Sequence, residues 1–542
     1  MLGLMQDIPL TVNWIFDRGV QYYGGKQVVT RTADGLRRDT FAEVAAETRR
    51  IATALDTLGI ADQGRVGTFG WNTARHLGLY FAIPGTGRIM HTINIRYFAD
   101  QLIYTIDHAE DEAVFVDRSL LPMFANYLPK LDTVKHVVVM DDGASAEYPD
   151  DPRIIRYEEL VDGAAETDFS DRVSDERQAA AICYTTGTTG NPKGVLYSHR
   201  STWLHSMAGM TSPVFSLNDS DRVLPVVPMF HANAWGLPYT AFLAGASMVL
   251  PGPDLSPAGL ISLMESERVT IAAGVPTIWM GMVPMLAGHD LSSLRVIICG
   301  GSAVPKALSE AWRNAIGLPI TQAWGMTEMS PLGSVCQVRS EFADLDEEHK
   351  ADIRATAGIA PPGVEMRIVD SDTREALPWD DKASGELECR GPWIAKQYYR
   401  TDAPGENYSP DGWLRTGDIA SISPLGYLRL VDRTKDLVKS GGEWISSVDL
   451  ENEIMSHPKI AEAAVIAVPH PKWSERPLAC VVVRDGETLT REEVLDFLRE
   501  RLSSWQMPDD VVFIDEVPKT SVGKFSKKTL REQFADYRLP TS

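Results

Sequence analysis

The chain has 542 residues, 44% of them hydrophobic and 23% charged, enough to bury several cores without covalent staples. Its net charge of −22 argues against non-specific binding to nucleic acid or to an anionic membrane surface, since both call for a basic face. Five cysteines (Cys183, Cys299, Cys336, Cys389 and Cys480) stand far apart without CxxC spacing, which argues against a zinc or disulfide framework and reads as buried free thiols.

No signal peptide is read at Met1–Asp7, and the expected compartment is the cytoplasm. Residues 41–58 read as a helix with Phe41, Val44, Ala45, Thr48, Ile51, Ala52 and Leu55 on one face. Short apolar runs at 65–70, 113–117, 136–140, 223–227, 246–250 and 295–299 read as strands, with helix-like segments between several of them. That alternation predicts α/β layers built on largely parallel sheets. Residues 223–253 carry no charge, yet Pro225, Pro228, Pro238, Pro251 and Pro253 would break a lipid-facing helix, so no membrane span is expected. Residues 338–356 read as a charged loop or surface helix. Runs at 364–370 and 385–390 alternate like half-exposed antiparallel strands, a small β subdomain over about 359–431. A last α+β unit spans 436–542, with strand-like runs at 464–469 and 479–483 and a helix over 491–499 capped by Thr490. The predicted architecture is a large N-terminal α/β domain (1–431, including the β subdomain), a short connector at 432–435 and a small C-terminal domain.

The segment Tyr184 to Gly194 (YTTGTTGNPKG) concentrates glycine and threonine after an apolar run. Glycine permits close backbone approach to a ligand, and successive N–H groups in such a loop cradle phosphate oxygens. It is not a Walker A loop, because Pro192 precedes Lys193 and Gly194 follows it.

This string resembles the signature loop of the adenylate-forming superfamily, which includes acyl-CoA synthetases, amino-acid adenylation domains and beetle luciferases. The resemblance continues through Gly300–Ala303, Trp324–Glu328, Trp413–Asp418, Asp432–Asp436, Ser440–Glu443 and Gly523–Lys524, over essentially the whole chain. It implies an enzyme that activates a carboxylic acid with ATP and Mg²⁺ and passes the acyl group to coenzyme A. Thr185, Thr186, Gly187, Thr188, Thr189 and Lys193 would hold phosphates. Gly301, Ser302, Ala303, Trp324, Gly325, Met326 and Thr327 would line the nucleotide, with Trp324 stacked on adenine. Trp stands where the family usually has Tyr, which keeps the stacking face and loses the phenol. Glu328 would hold Mg²⁺, which accepts one carboxylate plus phosphate oxygens.

Asp418, read as closing a Thr-Gly-Asp turn, would accept the ribose hydroxyls, with Arg433 beside it. Asp432 and Lys435 would form the hinge of a mobile C-terminal domain. Lys524 would stabilise charge on the attacking carboxylate and α-phosphate. Lys439, Gly441, Gly442, Glu443 and Trp444 would face the pantetheine arm of coenzyme A. His231, Trp235 and Gly301 would line the acyl pocket. His231 would abut the reacting carboxylate or guard the thiol path, and Trp235 either gates the pocket or fills it. No Asp stands where amino-acid-activating relatives pair a substrate ammonium, and no carrier-protein motif follows. Within the superfamily the sequence resembles bacterial fatty-acyl-CoA synthetases and 3-methylmercaptopropionate-CoA ligases, which implies an aliphatic acid. An aryl-CoA ligase, another adenylating enzyme or a catalytically silent nucleotide-binding homologue are the alternatives, and a homodimer is the expected assembly.

Overall fold

Thr40 caps the helix Phe41–Thr57 through a reciprocal box with Glu43, and all seven residues of the predicted apolar face are buried. In this computed structural model the described residues are 1, 3–185, 191–211, 214–403, 405–440, 443–520 and 525–541. They form four sheets.

The first sheet runs, edge to edge, through strands 154–156, 136–140, 111–117, 65–69, 89–92, 179–184 and 194–198. All neighbours are parallel except the last pair. The second runs through 332–335, 320–325, 296–299, 271–274, 222–225, 247–250, 27–32 and 35–40, parallel except at its two edges. Buried strands read as continuous apolar runs because both faces are covered. Alternate residues therefore enter different cores: Ala113 and Phe115 join one, Val114 and Val116 the other.

The core that holds Ala113 also holds Val28, Met248 and Ile271 of the second sheet, so the two sheets share one layer of helices. Helices Val12–Tyr23, Phe41–Thr57, Ala74–Gly85, His199–Met210 and Leu237–Ala244 contribute to it. Its centre is aromatic: Phe41 stacks on Phe242 with centroids 3.9 Å apart, and Phe81 packs at 4.5 Å on the same ring. All five cysteines are buried and free.

Strands 365–369, 385–390, 414–422 and 428–433 form the antiparallel sheet expected after 359. The segment 338–356 resolves into a short 3₁₀ turn, Ser340–Phe342, and the helix Glu347–Arg354. The last sheet pairs long strands Ile460–His470 and Ser474–Val483, and both Asp510–Phe513 and the hairpin 438–440/443–445 lie along the free side of the latter. Thr490 and Glu493 box the helix Arg491–Arg499 as the sequence predicts. The fold is therefore mixed α/β, with a large N-terminal domain and a small C-terminal one. Among the described residues no helix is long and apolar enough to cross a membrane; residues 223–253 fold into two buried strands and the helices between them.

Candidate active site

The C-terminal ends of parallel strands are the usual place for a ligand in sheets of this kind, and predicted site residues directly follow strands 179–184 and 296–299 and end strand 320–325. The glycine- and threonine-rich segment joins strand 179–184 to its antiparallel neighbour 194–198. Its base is closed by the Thr185 N–H donating to the Lys193 carbonyl (2.9 Å) and the Lys193 N–H donating to Thr185 Oγ1 (3.1 Å). Tyr97 ties the same base down, its hydroxyl donating to the Thr185 carbonyl at 3.1 Å. Thr186, Gly187, Thr188 and Thr189 lie outside the described residues. The Lys193 ammonium donates to Asn407 Oδ1 at 3.2 Å and sits 4.7 Å from the centre of the Tyr398 ring.

Two predicted nucleotide residues converge on the carboxylate of a third. Asp418 is 4% exposed; the Trp324 indole N–H donates to its Oδ2 at 3.1 Å, and the Arg433 guanidinium meets Oδ1 at 2.6 Å. The indole thus supplies a donor in place of the phenol that the family's usual tyrosine would bring. One face of Trp324 covers Gly333, where a β-carbon would come within 2.5 Å of the ring. Asp418 does not close a turn, as the sequence reading had it. It lies inside the continuous strand Leu414–Ile422, opposite Arg433, and the Thr-Gly-Asp signal marks an irregularity at Gly417, whose φ is +72°.

Glu328 is 5% exposed, and its Oε1 accepts the Tyr398 hydroxyl at 2.6 Å. The Tyr197 hydroxyl donates to the Thr327 carbonyl at 2.6 Å. Gly325 and Met326 run against Pro331: the Met326 N–H donates to the Pro331 carbonyl (3.1 Å), and Gly325 has no room for a side chain beside that oxygen. Gly301 adopts φ +90° just after strand 296–299, with Ser302 exposed and Ala303 half-buried beyond it. A single buried carboxylate suits Mg²⁺, which takes its remaining ligands from phosphate oxygens and water. Among the described residues no three His, Cys, Asp or Glu side chains converge as a self-contained metal cage.

The stretch expected to line the acyl pocket is built differently. Ala232, Asn233, Ala234 and Trp235 all have positive φ (44–57°), and Gly236 follows at 71°. Four consecutive non-glycine residues hold this conformation only where the surroundings over-determine it. Here the buried Asn233 amide oxygen accepts the Cys183 thiol at 3.2 Å, and the left-handed run hangs from it. His231 stands half-buried at its start. The Trp235 ring lies against Gly300, where a β-carbon would meet it at 3.3 Å and the Ala323 carbonyl at 2.7 Å. His205 packs edge-on against Trp393 (6.1 Å) and beside Gly236; burial lowers its pKa to about 4, so it stays neutral.

Asp432, 4% exposed, accepts the Ser447 N–H at 2.7 Å, the first N–H of helix Ser447–Met455. Burial raises its carboxyl, with Lys527 and Ser447 pulling the other way. Lys527 in turn pairs with Glu451 at 2.7 Å. Lys435 is exposed at the surface, and partial desolvation lowers its ammonium. The Lys439 N–H donates to Glu475 at 2.9 Å, and the backbones of Lys439 and Trp444, and of Ser440 and Glu443, pair across a two-stranded ladder. Gly441, Gly442 and Lys524 lie outside the described residues.

Sequence reasoning missed Tyr398, Asn407 and Tyr408. They sit in a loop-rich stretch, and a pair of adjacent tyrosines reads like ordinary core packing.

The family described as AMP-binding enzyme matches residues 16–399, and the AMP-binding enzyme C-terminal domain matches 449–524. The chain is 44% identical to a 3-methylmercaptopropionyl-CoA ligase of Ruegeria lacuscaerulensis, over 99% of each chain. It is 46% identical to a long-chain-fatty-acid–CoA ligase of Thermus thermophilus, over 98% of this chain and 97% of that one. ATP-bound MatB from Rhodopseudomonas palustris superposes with a TM-score of 0.83 at 28% identity, over 97% and 99% of the two chains.

Proposed function

The chain belongs to the AMP-binding enzyme family, and from that premise we propose that it is an AMP-forming acyl-CoA ligase for an aliphatic carboxylic acid. The observation that carries the reading is the carboxylate Asp418 held between Trp324 and Arg433, with the buried Glu328 just beyond the strand that carries Trp324. A carboxylate with both oxygens fixed offers ribose hydroxyls two acceptors in set positions. Mg²⁺ bound at Glu328 would neutralise phosphate charge as pyrophosphate departs.

In the first step the substrate carboxylate attacks the α-phosphorus of ATP, giving acyl-adenylate and pyrophosphate. Lys193 and the 185–194 backbone hold the β- and γ-phosphates. Lys524 offsets the repulsion between the two anions that must approach. In the second step the thiol of coenzyme A attacks the acyl carbonyl and AMP leaves, with His231 beside the reacting carbonyl. Residues 432–435 serve as the hinge on which the unit from 436 onward turns between steps, and the 439–444 ladder then faces the pantetheine arm.

The acid is a fatty acid of medium or long chain, or a short acid such as 3-methylmercaptopropionate. An apolar left-handed run, an indole against Gly300 and the named specificities of the relatives support this. Five buried, unpaired thiols fit a reducing cytoplasm. Exposed apolar side chains at Leu4, Met5, Ile8 and Trp14 support a homodimer. The test is AMP release with coenzyme A across straight-chain acids from acetate to palmitate, with 3-methylmercaptopropionate and benzoate included. Turnover confined to benzoate, or none with any acid, would overturn the assignment.

A further inference from the structure

Glu328 is held by more than its own strand end. Tyr398 donates to Glu328 Oε1 at 2.6 Å, and the face of the same ring carries the Lys193 ammonium at 4.7 Å. Tyr408 packs edge-on against Tyr398, with centroids 6.2 Å apart. Its side chain is 6% exposed, yet its hydroxyl meets no hydrogen-bond partner among the described residues. Asn407, next in the chain, accepts from Lys193. The segment is fixed: the Arg415 N–H donates to the Asn407 carbonyl at 2.8 Å, and Tyr408 bridges to Leu414.

A buried hydroxyl without a partner carries a desolvation penalty that a ligand can relieve. A phenol hydroxyl is a hydrogen-bond donor that a phosphate oxygen can accept.

We propose that Tyr398 is the positioning residue for the magnesium carboxylate and that Tyr408 is a binding residue for the metal-bound pyrophosphate end of ATP. Tyr398 occupies one oxygen of Glu328 and so aims the other at the cation. Tyr408 donates its free hydroxyl to a β- or γ-phosphate oxygen, or to water on the metal. The inference rests on the reading of Glu328 as the metal carboxylate, and the experiment separates the two.

The measurement is calorimetric titration of the full-length protein with the α,β-methylene analogue of ATP, with and without Mg²⁺, and with AMP. In the unsubstituted protein Mg²⁺ tightens binding of the analogue, and that ratio measures the metal coupling. E328Q is expected to abolish the coupling. Y398F is expected to cut it by about tenfold, the scale of one hydrogen bond to a charged group, while metal-free binding is unchanged. Y408F is expected to weaken the Mg²⁺-loaded analogue by about threefold to tenfold, as loss of one hydrogen bond predicts. AMP affinity should be unaltered in all three. Full coupling in Y398F, or unchanged affinity in Y408F, overturns the corresponding role. Full coupling in E328Q removes the metal assignment itself, and the role of Tyr398 with it. If Y398F does not fold, Y408F, which gives up no hydrogen bond seen among the described residues, decides the proposal.

Discussion

The two ends of the proposed site are held together by opposite means. At the proposed nucleotide end, charged groups are each held by polar or aromatic partners: Asp418 by Arg433 and Trp324, Glu328 by Tyr398, Lys193 by an aromatic face. At the acyl end, the chain from Ala232 to Gly236 is bent into left-handed backbone and pinned by Asn233, with neutral rings around it. On the proposed assignment the first arrangement would fix donors and acceptors for a partner that never changes, and the second would fix a shape, which discriminates one acid from another at roughly 1–3 kcal/mol per methylene.

Four measurements would break or sharpen this contrast. The largest effect is expected from K524A. Formation of acyl-adenylate should fall by at least about a thousandfold, as when a charge-stabilising donor is removed from a reacting centre. Thioester formation from supplied acyl-adenylate should survive far better; equal loss in both would remove the role assigned to Lys524. Next, D418N should lower kcat/KM for ATP by about a hundredfold, since ribose contacts of about 3 kcal/mol are lost. The ranking of acids should stay as it was, and a changed ranking would mean that the two ends are not separable. W235A should do the reverse. Relative kcat/KM among acids of different length should shift by about tenfold, while KM for ATP moves little.

The smallest effect is on stability against pH. Burial lowers His76, His199 and His205 each from 6.5 to about 4, so the unfolded chain binds more protons there. Their contribution is complete above pH 6.5 and is lost as pH falls toward about 4. Asp117 runs the other way. Burial raises it from 3.8 to about 7, a contribution present below 3.8 and lost as pH rises through 7. Three histidines outweigh one aspartate, so Tm should fall from pH 6.5 to pH 4. In H205Q the fall should be shallower; an unchanged slope would show that His205 is not buried as described.

Much of this was legible in the sequence where the signal is local. The period of 3.6 over 41–58 and the capping pair Thr490–Glu493 are written in neighbouring residues, and both appear as expected. Trp324, Asp418 and Arg433 were named one by one, and the fold brings them together. What did not show is what only tertiary structure creates. A glycine followed by Asp reads as a turn, yet Gly417 and Asp418 continue a strand because 385–390 and 428–433 pair with it on both sides. Ala232 and Trp235 carry no mark of positive φ, since such a conformation is held by tertiary surroundings, among them the Cys183 thiol on Asn233. Tyr398 and Tyr408 look like packing until their hydroxyls are seen to face Glu328 or to lack a partner.

Asp432 has a consequence of its own. It stands next to last in the strand 428–433, yet its carboxylate satisfies the first N–H of helix Ser447–Met455 and neighbours Lys527, three residues beyond Lys524. If the unit from 436 onward turns as proposed, that bond must open, stranding a buried acid on one side and one N–H of a helix still capped by Ser446 on the other. The resting orientation is then a spring catch rather than a free joint. Its stiffness, set by one aspartate, would govern how long the protein dwells between activating an acid and handing it on.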